Sequence, residues 1–248
     1  MSPELWLLVV GAAVAGFVQG ISGFAFSMVA MSFWVWGLEP RVAAVMAVFG
    51  GLSGQIVAAL SVRRGLRLQA LAPFLAGGAV GVPLGIAVLP VINANLFKLI
   101  LGAVLVVWCP VMLVSQRLPK ISVGGRWADA AAGAAGGFMG GLGGFAGVVP
   151  TLWCTLRGLA KEDQRAIVQN FNLAALAATM AGYVVTGAVT RGMLPLLPLV
   201  AVSLFVPAML GRKVYVGLSE AAFRKLVLAL LGLSGLAMLA ASVPRLVH

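Results

Sequence analysis

The chain has 248 residues, of which 62% are hydrophobic and 9% charged, with a mean hydropathy of +1.09 and a formal net charge of +11. No soluble globule has enough interior to hide that much apolar side chain, so the composition excludes a soluble domain and defines a polytopic membrane protein. The cations sit in short clusters between apolar segments, where they orient helices in a bilayer, and no nucleic-acid partner is expected.

In chain order, Met1-Ser2-Pro3-Glu4 lacks the positive start of a signal peptide, so the first apolar run is expected in the mature protein. A crossing helix takes about 20 apolar residues. Six charge-free runs fit one crossing each: Val42 to Val62, Leu68 to about Leu89, Leu99 to Gln116, Ala166 to Thr190, Gly192 to Gly211 and Leu226 to Pro244. Two others, Leu5 to Leu38 and Ala130 to Leu156, are too long for one crossing, and the second is too short for two. Each carries a glycine cluster near its middle.

Those clusters are copies of each other. A shift of 121 residues lays Gly16-Phe17-Val18-Gln19-Gly20-Ile21-Ser22-Gly23-Phe24-Ala25 on Gly137-Phe138-Met139-Gly140-Gly141-Leu142-Gly143-Gly144-Phe145-Ala146, and also superimposes Gly37-Leu38 on Gly158-Leu159. The chain is therefore a duplication within one transmembrane domain, residues 1–248, with repeat one at 1–116 and repeat two at 127–248.

The arginines and lysines choose between an overlong helix and a hairpin for each glycine-rich segment. With two hairpins, Arg63, Arg64, Arg67, Arg117, Lys120, Arg126, Arg157, Lys161, Arg165, Arg212, Lys213, Arg224 and Lys225 share one side, while Arg41, Lys98, Arg191 and Arg245 share the other. With two single crossings the split is nearly even. Cytoplasmic loops are the ones enriched in Lys and Arg, so the hairpin reading is favoured and both termini are expected on the outer, periplasmic face. The expected fold is all-α: two inverted repeats, each a glycine-broken helical hairpin plus three transmembrane helices. Whether the hairpins are re-entrant or two thin full crossings is left open by the sequence.

Irregular backbone at membrane depth needs protein or a watery cavity to satisfy its N–H and C=O groups. In each hairpin the descending helix is expected to end near Gln19 or Gly140 and the returning helix to begin near Ser22 or Gly143. The free N–H groups at the start of each returning helix then suit an anion. Candidate substrate-binding residues are Gln19, Gly20, Ser22, Gly23 and Phe24 in the first tip, Gln55 in the next helix, Gly141, Gly143 and Gly144 in the second tip, and Asn170 and Asn172 beyond it. Amides donate to oxyanions without the cost of burying a charge, although interhelical hydrogen bonding explains any one of them equally well. Gln169 lies at similar depth. Arg165 and Arg41 precede helices at opposite mouths, where they draw anions inward or simply anchor the helices.

No Asp or Glu falls within an apolar run, and the only histidine is His248. Cys109 and Cys154 have no C-x-x-C spacing and read as small buried hydrophobes. No catalysis, metal or cofactor is therefore expected. The expected partners are a small anionic substrate and the lipid bilayer, and a homodimer is compatible with the sequence.

The paired Gly-x-x-x-Gly-x-x-Gly blocks, Gly16 to Gly23 and Gly137 to Gly144, resemble those of the TauE/SafE sulfite exporter family. The likeness runs over nearly the whole chain and includes the Gly37-Leu38 and Gly158-Leu159 elements. Gly141-Leu142-Gly143-Gly144 followed by Pro150 is similar to the family's second block, whereas the first has fewer glycines and Val29 at the position matching Pro150. The resemblance implies a bacterial inner-membrane carrier, an exporter of sulfite, sulfoacetate or other organosulfonates. Other readings are a carrier of another small anion or metabolite, or a non-transporting scaffold or assembly subunit.

Overall fold

The computed structural model describes residues 2–22, 25–61, 68–115, 120–121, 123–214 and 220–243. Among them are ten α-helices and no strand: α1 (Pro3–Ser22), α2 (Phe26–Trp34), α3 (Pro40–Ser61), α4 (Leu68–Val88), α5 (Ala94–Val114), α6 (Gly125–Gly143), α7 (Val148–Leu156), α8 (Lys161–Val185), α9 (Leu196–Val214) and α10 (Glu220–Ser242). The fold is that of an all-helical polytopic membrane protein. Among the described residues five segments are long and apolar enough to cross a membrane: Pro3–Ser22, Pro40–Leu60, Leu68–Val91, Ala94–Val114 and Arg191–Lys213. The run from Ala166 belongs to α8, which starts earlier, at Lys161, and is diluted by polar residues. Exposed Val80, Val107, Val202 and Leu233 cover the outer helix faces, a surface that acyl chains solvate and water does not.

Local chemistry explains the helix ends. Pro3 opens α1, where a missing N–H costs nothing, and Glu4 follows in the first turn. The Asn93 side chain caps α5 by accepting from the Leu96 N–H at 2.8 Å. Glu162 and Asp163 stand in the first turn of α8, and Arg212 and Lys213 in the last turn of α9, each sign complementing the helix dipole.

The glycine-rich segments are hairpins, but unequal ones. Each pairs a long helix, 20 residues in α1 and 19 in α6, with a returning helix of only 9 residues, α2 or α7. The descending helices continue past Gln19 and Gly140 to Ser22 and Gly143, and the returning helices begin at Phe26 and Val148 rather than at Ser22 and Gly143. The reason is visible at the second break. Gly144, at φ 83°, is the residue that leaves the helix, and a left-handed residue closes a helix by returning two N–H groups to its last carbonyls. The Gly144 N–H reaches Gly140 O at 2.8 Å and the Phe145 N–H reaches Met139 O at 3.2 Å, so Gly140 and Gly143 stay helical.

Both halves follow the order long, short, long, long, long: 20, 9, 22, 21 and 21 residues, then 19, 9, 25, 19 and 23. Packing links the halves reciprocally. The fourth helix of the first half, α4, lies parallel to α6, with Gly77, Gly81 and Gly85 against the backbones of Ala130, Ala134 and Phe138 in turn. The fourth helix of the second half, α9, lies parallel to α1, with Leu204 at Gly16 and Ala208 at Gly20. The fifth helices run antiparallel: Gly102 meets Leu239, Leu105 meets Gly235 and Cys109 meets Gly232.

Lipid supplies no hydrophobic force between helices, so close backbone approach through small residues holds such pairs together. A Cβ placed on Gly81 would run into the backbones of Ala134 and Phe138, whereas one on Gly192 meets nothing within 4 Å. Gly81→Val is therefore expected to cost about 2 kcal/mol or more by overpacking. Thermal unfolding of the detergent-solubilised protein should show that loss, with Gly192→Ala unchanged as the control.

Candidate functional site

Each hairpin is closed at its open end by a tryptophan. In the first, fully buried Trp34 donates from Nε1 to Leu7 O and Leu8 O, both at 3.2 Å, which sets the end of α2 beside the start of α1. In the second, Trp153 Nε1 donates to Asp129 Oδ1 at 2.7 Å, and Arg157 Nη1 donates to both Asp129 oxygens at 2.8 Å. Asp129 is thus a buried carboxylate at the foot of α6 and not a solvated edge residue. Its low solvent access is tolerable because the charge is paired and hydrogen-bonded.

The second tip packs into the first half of the chain. A Cβ on Gly144 would lie 3.1 Å from Ser27 Cβ and 3.4 Å from Val48 Cγ2, and one on Gly143 would lie 3.4 Å from Met31 Cε. Ser27 Oγ itself donates to Ala47 O at 3.1 Å, tying the start of α2 to α3. On the far side of the tip, a Cβ on Gly147 would lie 2.7 Å from Asn172 Nδ2. Asn172 is buried and its Oδ1 has no hydrogen-bond partner in the protein. Asn170, two positions earlier on α8, is half-buried. Gly141 serves packing, with its Cα face against Gly85 and its carbonyl accepting from Tyr183 Oη at 2.8 Å.

The first tip is described up to Ser22 and again from Ala25, whose N–H donates to Ser22 Oγ at 3.3 Å; Gly23 and Phe24 lie outside the described residues. Gln19 is buried, and its Nε2 donates to Gly51 O of α3 at 3.3 Å while its Oε1 has no partner. Gln55, one position after Gly54, is also buried.

A cavity of about 60 Å³ opens beside this glutamine, between α1, α3, α8 and α9. Gln19, Gly20, Gly54 and Gln169 line it together with Arg165 and Arg212. The two glutamines are buried and the two arginines exposed, so amides line the depth and guanidinium groups the mouth. Of the residues expected to bind substrate, Gln19 and Gly20 face this cavity, while Gly141, Gly143, Gly144 and Asn172 belong to the second tip. Arg212 went unread as a site residue because, from sequence, it is one more cation in a loop cluster. Its place in the last turn of α9, which lies along α1, is what brings it here.

The far end of the same helices is tied shut. Arg41 Nε donates to Ala188 O at 3.0 Å and Nη2 donates to Gly187 O, bonding the start of α3 to the turn after α8. Of the two arginines read at opposite mouths, Arg165 faces a cavity and Arg41 is spent on backbone carbonyls.

Broken helices at membrane depth around a cation-mouthed, amide-lined cavity are the features of a polytopic membrane transporter. Residues 8–238 match the family described as Sulfite exporter TauE/SafE, and the chain belongs to that family. It is a membrane transporter of the class that carries sulfur-containing anions. No curated protein and no solved structure is matched by the chain.

The Asp129 clamp yields a test. Removing Arg157 leaves a buried carboxylate without its cation, which costs about 3 kcal/mol where the site is fully dry and less here because Arg157 is 30% exposed. Arg157→Ala should lower the unfolding midpoint clearly, and Asp129→Ala/Arg157→Ala should be milder than the sum of the two single variants, as read from a double-mutant cycle in detergent.

Proposed function

We propose that the protein exports small sulfur-containing anions, sulfite, sulfoacetate or other organosulfonates, across the bacterial inner membrane, with both termini periplasmic. The observation that carries this reading is the cavity whose mouth holds Arg165 and Arg212 and whose depth holds Gln19 and Gln169. Cations at a mouth concentrate anions by their field, and amides inside hydrogen-bond them without a fixed charge to trap them. Release is as necessary as capture in a carrier, and neutral amides keep the bound state shallow.

The repeats are read as inverted, related by an axis in the membrane plane. Supporting this are the matching order of helix lengths, the exchange of α4 and α9 between halves, and the antiparallel run of α5 against α10. The third helices follow suit: Gly51 of α3 meets Leu176 of α8, while Ala58 shares the cavity with Arg165. Transport then consists of one half rocking on the other, opening the Arg41 end as the Arg165 end closes around the tips. With a cytoplasm-negative potential, outward movement of an anion gains about 2.3 kcal/mol per charge per 100 mV, enough to drive export without a coupled ion.

Purified protein in liposomes at a set potential should carry sulfite faster than a carboxylate such as acetate, with charge movement. Replacing both arginines (Arg165→Ala/Arg212→Ala) should slow sulfite flux about tenfold at low salt and less at high salt, because screening removes the long-range attraction in either case. Equal flux for the two anions would defeat the sulfur-anion assignment. Gly144→Leu, with its side chain forced into Ser27 and a left-handed backbone, should abolish flux.

A further inference from the structure

The buried end of the cavity is asymmetric in a way that bears on the form of the ligand. The Gly51 carbonyl can only accept a hydrogen bond, so the Gln19 amide must turn its nitrogen to it at 3.3 Å. That fixes Oε1 as the atom left over. It is buried, has no partner in the protein, and belongs to a side chain that lines the cavity. An unpaired buried acceptor repels the bare oxygen of an anion and costs free energy until a donor reaches it.

We propose that this cavity selects a small oxyanion that carries a single negative charge and still bears one hydrogen, with Gln19 Oε1 accepting that hydrogen. The proposal rests on the transport reading above and narrows it to sulfite, because sulfoacetate and other organosulfonates carry no acidic hydrogen near neutral pH. Its space suits a handful of water molecules or one small oxyanion and no bulky substituent. Arg165 of α8 and Arg212 of α9 attract singly and doubly charged forms alike, since both are exposed at the mouth. Discrimination therefore falls to the depth, where a dianion loses more hydration and meets a lone pair instead of a donor.

The surroundings make the idea testable by pH. Among the described residues the cavity lining comes from α1, α3, α8 and α9, contains no histidine and no cysteine, the side chains whose charge changes near neutrality, and takes no charged group from α1 or α3. Glu162 and Asp163 precede Arg165 by a turn on α8, and Lys213 follows Arg212 on α9, none of them in the lining. A change in affinity across neutrality therefore reports protonation of the ligand.

The test is calorimetric titration of the full-length protein in detergent with sulfite between about pH 6 and about pH 9 at constant ionic strength. Methanesulfonate serves as a monoanion without an acidic hydrogen, and sulfate as a dianion without one. The Kd for total sulfite should rise about tenfold per pH unit once the ligand loses its last hydrogen, and methanesulfonate should bind about tenfold or more weakly than sulfite at the acid end, with no pH dependence. Gln19→Leu should weaken sulfite about tenfold at the acid end and flatten its profile. The wild-type comparison needs no variant, so it stands even if Gln19→Leu does not fold. A flat sulfite profile, or sulfate bound as tightly as sulfite at the acid end, overturns the selection and leaves the transport reading standing. A Gln19→Leu variant that keeps the steep profile also overturns it. Sulfite that fails to bind at every pH overturns both.

Discussion

Every polar group of the backbone must find a protein partner at membrane depth, and that constraint decides where this chain can afford to break a helix. At the second tip, Gly144 turns left-handed and hands two N–H groups back to Gly140 and Met139. Tyr183 Oη covers the carbonyl of Gly141, and Trp108 Nε1 covers that of Val148 at 3.0 Å. At the first tip the hydroxyl of Ser22 takes the N–H of Ala25. Among the described residues the breaks are thus stitched by local donors and acceptors, and Gly144, able to adopt positive φ, stands where the second tip demands it.

Close packing then determines where space is left. Along α4 and α6 the glycines and alanines let two backbones touch over most of their length, so that face of the second hairpin is solid. Along α1 and α9 contact is equally close at Gly16 and Gly20, but Leu204, Phe205 and Ala208 diverge from α3 and α8 enough to leave the cavity. The same small residues that hold the helices together therefore leave a polar void beside Gln19, while a separate apolar one of about 150 Å³, lined by Phe97, Phe138, Met139 and Phe145, flanks the second hairpin. Arg41, bonded across to Gly187 and Ala188, keeps the opposite end of α3 and α8 together. The cavity thus lies at one end of these helices and the Arg41 bonds at the other.

Much of this architecture is legible in the residues. Charge-free runs locate α3, α4 and α5 within a few positions, because a membrane helix is defined by what it excludes. The two misfit lengths and the repeated Gly-Phe-x-x-Gly pattern identify both hairpins. Their asymmetry is not legible, since nothing in the composition of Phe26–Trp34 says that a returning helix stops after 9 residues; the stop comes from Trp34 docking on Leu7 and Leu8, far away in sequence. The site is legible only in part for the same reason. Gln19 and Gln169 stand out as rare amides in apolar runs. That Gln19 and Gly20 share a void with Arg212, while Asn172 lies against Gly147 instead, depends on which face of each helix its neighbour covers. Asp129 shows the converse: a carboxylate at the edge of a run in sequence becomes buried once Arg157 and Trp153 fold over it.

Aligned with each other, the two halves are chemically unequal in a complementary way. Under the shift of 121 residues, Gln19 falls on Gly140 and Asn172 falls on Gly51. Each half thus supplies one amide where the other supplies glycine. One amide against one glycine leaves room, and Gln19 uses that room by spanning from α1 to the bare Gly51 carbonyl while Asn172 fills the hollow beside Gly147. Both retain an unpaired buried oxygen, Gln19 Oε1 and Asn172 Oδ1. An acceptor left unpaired in the interior costs free energy until a donor reaches it, and the same holds for Thr151 Oγ1 and Ser242 Oγ, which do not line the cavity.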